Sequence, residues 1–153
     1  VAVWGALIPI CDNLEDALDR SLSYIPADSD CAATVKLARG LVGQADGGIS
    51  IRKHYPDMSV VHTVNNLALV VWALLSHPDD FSAAIGDVVA AGLDTDCNGA
   101  TVGALWGLQD KTIPDFWSAP WGGNVGLSLA GTDTVNVADL IDRTVAVTVN
   151  LSE

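Results

Sequence analysis

Apolar residues recur three and four positions apart along most of the chain, and this period is typical of amphipathic α-helices. The stretch CDNLEDALDRSLSYIP is the clearest case. Its apolar positions fall on one helical face: Leu14, Leu18, Leu22 and Ile25. Asp12 or Asn13 is predicted to cap this helix at its start, and Pro26 is predicted to end it.

The same pattern predicts six more helices, which cover residues 1–10, 29–43, 59–77, 79–92, 96–108 and 136–151. Their predicted N-caps include Ser29 or Asp30, Asp79 or Asp80, and Asn136. Val-Thr alternation near the end of the last segment would also fit a strand, but a helix is predicted. Residues 49–58 and 112–133 are predicted to be loops, with Gly47-Gly48 as the break before the first. The predicted fold class is all-α, a multi-helix bundle in a single domain over residues 1–153.

The composition limits the kinds of partner. The 153 residues carry a net charge of −12, which argues against nucleic acid because phosphate backbones are bound by basic patches. Mean hydropathy is +0.35. Even so, the longest strictly apolar run, Leu67–Leu75, has nine residues, whereas a helix needs about 20 to cross a bilayer. We therefore expect no membrane span, and an apolar surplus buried in a core or against another chain.

Cysteine usage and the first residues indicate the context of the chain. Three cysteines, Cys11, Cys31 and Cys97, are an odd number without C-x-x-C spacing, which argues against a zinc site or a disulfide framework and favours a reducing, cytoplasmic environment. The chain starts with VAVWGALIPI, which has no cap or polar lead-in. We therefore expect either that residues were removed or that this is the second half of a longer chain.

The stretch GLDTDCNGATVGALWGL, residues 92–108, places Asp94 and Asp96 one residue apart at the start of a predicted helix. Carboxylate oxygens are ligands that hard divalent cations prefer, and two aspartates at i and i+2 of a loop can face the same way. The alternative is that Asp96 caps the helix while Asp94 is solvated. The spacing alone favours this alternative.

Glycines recur every fourth residue in the helix that follows, at Gly99, Gly103 and Gly107. Each glycine inside a helix costs about 1 kcal/mol relative to alanine, so the stripe predicts that another helix packs very close to it. The acidic start of this helix would then be anchored inside the bundle. Buried carboxylates need a partner, and a cation is predicted because basic residues are scarce nearby, Lys111 being the nearest in sequence.

Polar residues at the start of the most apolar predicted helix are a second candidate. His62 and Asn66 share a face, with Asn65 beside them. They form either an exposed polar patch or a stripe that faces a ligand cleft, and the sequence leaves both open. Trp117 and Trp121 lie in the loop predicted over residues 112–133, where core packing is favoured over a role as walls of a cleft.

Three stretches resemble the C-terminal half of the ADP-ribosylglycohydrolase family, which includes ADP-ribosylarginine hydrolases and dinitrogenase-reductase-activating glycohydrolases. They are HTVNNLALVVWALL, DFSAAIGDVVAAGLDTDCNGATVGALWGL and IPDFW. GLDTDC resembles the family's G-x-D-x-D-[TS] motif, and GALWG resembles the end of the small-residue helix that follows it. The resemblance is clearest over residues 55–121 and implies an all-α fold.

The resemblance also implies a site for two Mg²⁺ (or Mn²⁺) ions, with Asp94 and Asp96 as metal ligands. Thr95 would position them, and His62 and Asn66 would lie near the cleft without a defined role. The family often has an oxygen ligand from Thr or Ser where this chain has Cys97, and a thiol is a poor ligand for Mg²⁺.

The activity that the resemblance implies is hydrolysis of the glycosidic bond that joins ADP-ribose to a modified substrate. A second acidic metal motif and the early catalytic carboxylate belong to the family's N-terminal half and have no counterpart here, so the catalytic residues stay unassigned. The expected partners are an ADP-ribosylated substrate or ADP-ribose, and that N-terminal half, in the same or a separate chain. Alternatives are a non-catalytic binding or structural domain, or a hydrolase of another ribosyl or nucleoside substrate.

Overall fold

The computed structural model describes residues 1–151 and is mainly helical, with 63% helix and 7% strand. This confirms the all-α class. The chain divides into two compact units, Val1–Thr112 and the part from Ile113 onward, and a single domain over the whole chain stays a prediction. Among the described residues, no helix combines the length and apolar character needed to cross a membrane.

Helix α5 is the centre of the first unit. The helices of this unit are α1 (Ala2–Leu7), α2 (Leu14–Leu22), α3 (Asp30–Gly40), α4 (Gly47–His54), α5 (Thr63–Ser76), α6 (Phe81–Ala90) and α7 (Thr95–Gly107), with a 3₁₀ turn at Ile8–Ile10. Ten residues of α5 are buried, and it packs against α2, α3, α4, α6 and α7. A helix that is apolar on all sides is stable only when it is surrounded, so the most apolar segment of the sequence forms the core.

Side-chain caps begin several helices where the sequence predicts them. Asn13, Ser29 and Asp80 each accept a backbone N–H bond from the first turn of α2, α3 and α6, at 2.9 to 3.3 Å. Such caps satisfy N–H groups that a helix leaves without an internal partner. For each of these helices, one of the two residues predicted as alternative caps is the cap. The predicted helix starts are therefore confirmed.

Helix α4 occupies most of a segment predicted to be a loop, so that prediction is wrong. Gly47 and Gly48 were expected to break the chain, but they are the buried first residues of this helix. A Cβ on Gly47 would lie 2.6 Å from Cε2 of Trp72, and a Cβ on Gly48 would lie 2.7 Å from Cβ of Ala91. Tight packing on α5 and on the end of α6 therefore selects glycine here, against its low helix propensity.

The second unit contains a β-hairpin in the other segment predicted to be a loop. Its elements are α8 (Asp115–Ser118), a 3₁₀ turn (Ala119–Trp121), the antiparallel strands β1 (Asn124–Leu129) and β2 (Thr132–Asn136), and α9 (Val137–Leu151). The pairing leaves a turn at residues 130–131, where Gly131 has a φ of +79°. The strands are short, β1 is largely exposed and β2 is partly buried, and neither shows the alternation that reveals a half-buried strand.

In the second unit, the prediction of the last helix is confirmed, whereas the prediction that Trp121 packs in a core is not. Helix α9 is confirmed, and its predicted cap Asn136 accepts bonds from the backbone N–H groups of Ala138 and Asp139, at 3.0 and 3.3 Å. Core packing of Trp121 is wrong, because its side chain is 58% exposed. Trp117 is half-buried.

Helix α6 packs on the glycine stripe of α7, as expected, but not so closely that a side chain would be excluded there. A Cβ on Gly99 would lie 3.4 Å from Cγ2 of Val89, and one on Gly103 would lie 3.9 Å from Cδ1 of Ile85. A Cβ on Gly107 would have no neighbour within 4 Å. These are ordinary van der Waals distances, so no close contact requires these glycines.

Substitution of Gly103 by alanine is therefore expected to raise the free energy of unfolding, by up to about 1 kcal/mol. Alanine has the higher helix propensity, and its added methyl group would contact Ile85 without a clash. Urea unfolding of Gly103→Ala beside the wild type measures the difference. A clear loss of stability would contradict the presence of space for a methyl group beside Ile85.

Candidate metal site

The candidate site lies where the N-terminal ends of α5 and α7 meet. Between α6 and α7 the chain turns within residues 91–94. Gly92 has a φ of +84° and Leu93 a φ of +63°. For a residue with a side chain, the left-handed region costs about 1–2 kcal/mol, so contacts outside the turn must stabilise it.

Asn66 provides those contacts. Its side chain is buried, and Oδ1 accepts bonds from the backbone N–H of Asp94 at 3.2 Å and from Nδ2 of Asn98 at 2.7 Å. Nδ2 donates to the carbonyl oxygens of Val60 at 2.9 Å and His62 at 2.8 Å. One amide thus connects the segment before α5 with the first turn of α7 and fixes the position of Asp94.

Asp94, Asp96 and Cys97 form a cluster at the start of α7. One ligand atom from each, two carboxylate oxygens and the thiol sulfur, lies within 4.8 Å of the other two. Asp94 is half-buried, while Asp96 and Cys97 are exposed. The predicted deep burial of the carboxylates is therefore wrong, although the two aspartates do face each other as the metal hypothesis requires.

Asp94 is the central member of this cluster. A hydrogen bond with the Asp94 carboxyl lowers the pKa of Asp96, and the backbone N–H groups of Asp96 and Cys97 lower it further. The Asp94 carboxylate raises the pKa of Cys97, first through a hydrogen bond and then through its charge. Without a cation, the thiol is therefore protonated at neutral pH.

Helix capping explains these aspartates only in part. Asp94, and not Asp96, occupies the N-cap position of α7, and its side chain makes no capping hydrogen bond. Asp96 lies in the first turn, where a negative charge interacts favourably with the helix dipole. The carboxylate of Asp94 is therefore not required as a cap.

A cleft of about 270 Å³ opens beside the cluster. Asp94, Cys97 and Asn98 line one side, and Thr63 and Asn66 line the other. The prediction of Asn66 near a cleft agrees with this geometry. The alternative prediction of a solvent-exposed polar patch is wrong for Asn65 and Asn66, whose side chains are buried (1% and 8% exposed).

Two of the predicted neighbours do not line this cleft. His62 is exposed, and its Nδ1 caps α5 by accepting the backbone N–H of Val64 at 3.2 Å. Thr95 is the first residue of α7, and its backbone N–H donates to the carbonyl oxygen of Leu93 at 3.1 Å. Asn98, which is 3% exposed, was not among the residues predicted for the site. Its signal was a polar residue four positions after Asp94, on the same helical face.

Comparison with known proteins assigns the family. A family model described as ADP-ribosylglycohydrolase matches residues 1–148. The chain belongs to the ADP-ribosylglycohydrolase family. No curated protein and no solved structure matches it. The recognition made from the G-x-D-x-D motif is confirmed, the match extends well beyond residues 55–121, and it supports a glycohydrolase-type function in general.

The donor atoms of this ADP-ribosylglycohydrolase chain fit a divalent cation, but they fit Mg²⁺ incompletely. The carboxylates of Asp94 and Asp96 converge, and their oxygens are suitable ligands for a hard cation. The third donor within reach is the sulfur of Cys97, and Mg²⁺ binds oxygen in strong preference to sulfur. Cation binding thus agrees with the geometry, while the choice of Mg²⁺ does not follow from it.

Proposed function

We propose that this chain supplies the metal-binding half of a hydrolase that removes ADP-ribose from a modified substrate. The observation that carries the proposal is the convergence of Asp94 and Asp96 beside a cleft, in a chain of the ADP-ribosylglycohydrolase family. Mg²⁺ or Mn²⁺ is the cation that the sequence resemblance implies for these residues. The ribose next to the scissile bond would occupy the cleft.

Each residue of the site has a separate task in this proposal. Asp94 and Asp96 hold the cation, and their negative charge attracts it to the mouth of the cleft. Asn66 and Asn98 orient the backbone that carries Asp94. When bound, the cation would polarise a ribose hydroxyl or activate water.

Proton transfer to the leaving group requires a further acid or base. Among the described residues, the cluster at the site contains no carboxylate besides Asp94 and Asp96. We therefore propose that the catalytic carboxylate comes from the N-terminal half that the family resemblance implies. The 153-residue chain alone is then expected to bind a cation weakly and to show no hydrolysis of ADP-ribosyl-arginine until that half is supplied.

Substitution of Asp94 by asparagine tests the metal site. The new amide side chain would keep the size of the carboxylate and remain a suitable N-cap, so stability is expected to change by less than about 0.5 kcal/mol. Loss of a carboxylate ligand is expected to weaken Mn²⁺ or Mg²⁺ binding by at least about tenfold. Isothermal titration calorimetry of Asp94→Asn measures the affinity, and urea unfolding measures stability.

A matched control is Asp57→Asn, which removes one exposed negative charge that does not belong to the cluster. It is expected to leave cation affinity nearly unchanged. If Asp94→Asn also left binding unchanged and only altered helix stability, the aspartate would be structural. The non-catalytic binding or structural domain would then replace the hydrolase proposal.

A further inference from the structure

We propose that the protein binds a small oxyanion, a carboxylate or a phosphate group, in a second cavity at the opposite end of α5 from the candidate metal site. This cavity has a volume of about 370 Å³ and lies where the start of α2 meets the last turns of α3 and α5 and the segment after α7. Leu75 lines it, nine residues after Asn66, so about 14 Å of helix separates the two places. The inference does not rest on the proposed function.

Hydrogen-bond donors predominate among the polar side chains around this cavity. They belong to Asn13, Arg39, Gln109 and Lys111. Among the described residues of the lining, Glu15 is the one acidic side chain. The chain has only seven basic residues and a net charge of −12, so two basic side chains at one cavity do not follow from its composition. Such a lining favours a ligand that is rich in acceptor oxygens.

Two of these donors are left without a partner. In the part of the chain that the structure describes, Nε of Arg39 and Nε2 of Gln109 are enclosed and make no hydrogen bond. A buried donor without a partner costs free energy, and native structures satisfy such groups with protein, water or a ligand. Both residues line the cavity. After small rotations of the two side chains, an oxyanion there would offer each donor an acceptor.

The two basic side chains are already held in place. Nη1 of Arg39 donates to Asp19 at 2.6 Å and Nη2 donates to the carbonyl oxygen of Glu15 at 3.4 Å, which leaves Nε unused. Nζ of Lys111 donates to a carbonyl oxygen and to Asp79, and an ammonium has a third N–H. The acidic partners are 59% and 87% exposed, so water screens their charges and these ion pairs are weak. An oxyanion can therefore compete for both basic groups.

Apolar side chains limit the kind of ligand further. Leu14, Val42 and Leu75 contribute to the wall of the cavity. Its volume is near the lower end of the range of about 300–1,000 Å³ that is typical of small-molecule sites. The occupant is therefore a small organic carboxylate or phosphate ester with a short hydrocarbon part.

Calorimetric titration of the full chain with inorganic phosphate and with succinate, in metal-free buffer at constant ionic strength, tests the site. Arg39→Gln is expected to weaken binding by at least about tenfold, because a hydrogen-bonded charge is lost. Lys111→Gln, at an exposed side chain, removes the other charge with less risk to the fold and is also expected to weaken binding. The matched control is Lys36→Gln, which removes an exposed positive charge of α3 outside the lining and should change the affinity little.

Gln109→Leu separates a ligand donor from a structural one. Leucine removes a buried donor that has no partner, so the unliganded variant is expected to be at least as stable as the wild type. Its affinity for the oxyanion is nevertheless expected to fall. Urea unfolding without added oxyanion measures the stability of each variant and shows that each is folded. A clear loss of stability in Gln109→Leu would mean that water already satisfies this donor, and the proposal would be overturned.

The two probes also distinguish the sources of the oxyanion. Binding of phosphate alone identifies a phosphate ester as the ligand, and binding of succinate alone identifies a carboxylate. Absence of binding by both probes, or an equal loss of affinity in Lys36→Gln and Arg39→Gln, would refute the site. Asp94→Asn is expected to weaken cation binding and to leave oxyanion binding unchanged, so failure of this inference is distinguishable from failure of the proposed function.

Discussion

Asn66→Ala is expected to lower the free energy of unfolding by about 2–4 kcal/mol, because each buried group left without a partner costs about 1–3 kcal/mol. The substitution removes the acceptor of Nδ2 of Asn98 and of the backbone N–H of Asp94. It also removes the donor to the carbonyl oxygens of Val60 and His62. Urea unfolding of the variant and the wild type measures the loss.

The same substitution is expected to weaken cation binding at Asp94 and Asp96 by at least about tenfold, as is common when a group that orients a ligand is removed. Asn66 makes no contact with a cation in this prediction. It acts by holding the turn in which Leu93 has a φ of +63°. Without that bond, the left-handed conformation is expected to relax and move Asp94 away from Asp96. Calorimetric titration with Mn²⁺ below the unfolding temperature checks this effect.

His62→Ala is the appropriate control, since His62 is next to the same segment but its side chain bonds only within the start of α5. Loss of this cap is expected to cost about 1 kcal/mol and to leave cation affinity unchanged. If Asn66→Ala cost no more than His62→Ala, water must satisfy the groups that Asn66 now satisfies. The connection between α5 and α7 would then not depend on this side chain.

Gly47→Ala is the second substitution with a large expected effect. Overpacking of a core typically costs about 1–3 kcal/mol and occasionally more, and Gly47→Ala is expected at the upper end of that range. The added Cβ would lie 2.6 Å from Cε2 and 2.9 Å from Cδ1 of Trp72, and closer still to Nε1. Trp72 is 3% exposed, so its ring is enclosed and cannot move aside. Urea or thermal unfolding measures the change.

Gly86→Ala is a matched control, because Gly86 is an exposed residue inside α6 and a Cβ there would meet nothing within 4 Å. It is expected to stabilise the protein by about 0.5–1 kcal/mol. A double-mutant cycle with Trp72→Phe locates the clash, since the smaller ring should recover part of the stability lost in Gly47→Ala. Strictly additive effects would show that the cost of alanine at this position does not come from Trp72.

The sequence predicted the parts of the fold that depend on neighbouring residues. The helical period marked α2, α3, α5, α6 and α9. Short polar residues at the starts of α2, α3, α6 and α9 gave the caps, because a cap bonds to an N–H only two or three residues ahead. The same local information revealed the G-x-D-x-D motif and therefore the family. These features require no knowledge of which helices pack together.

The tertiary structure decided what depends on residues distant in the chain. Position 47 requires glycine because a Cβ there would clash with Trp72, and Asn66 holds Asp94 and Asn98 from 28 and 32 residues away. The hairpin arises from backbone pairing between strands whose side chains show no clear alternation. The exposure of Asp96 and the partial burial of Asp94 likewise depend on the packing of the bundle, which the spacing of glycines could not reveal. Local periodicity therefore determined the helices and the candidate ligands, and long-range packing determined the geometry that brings those ligands together.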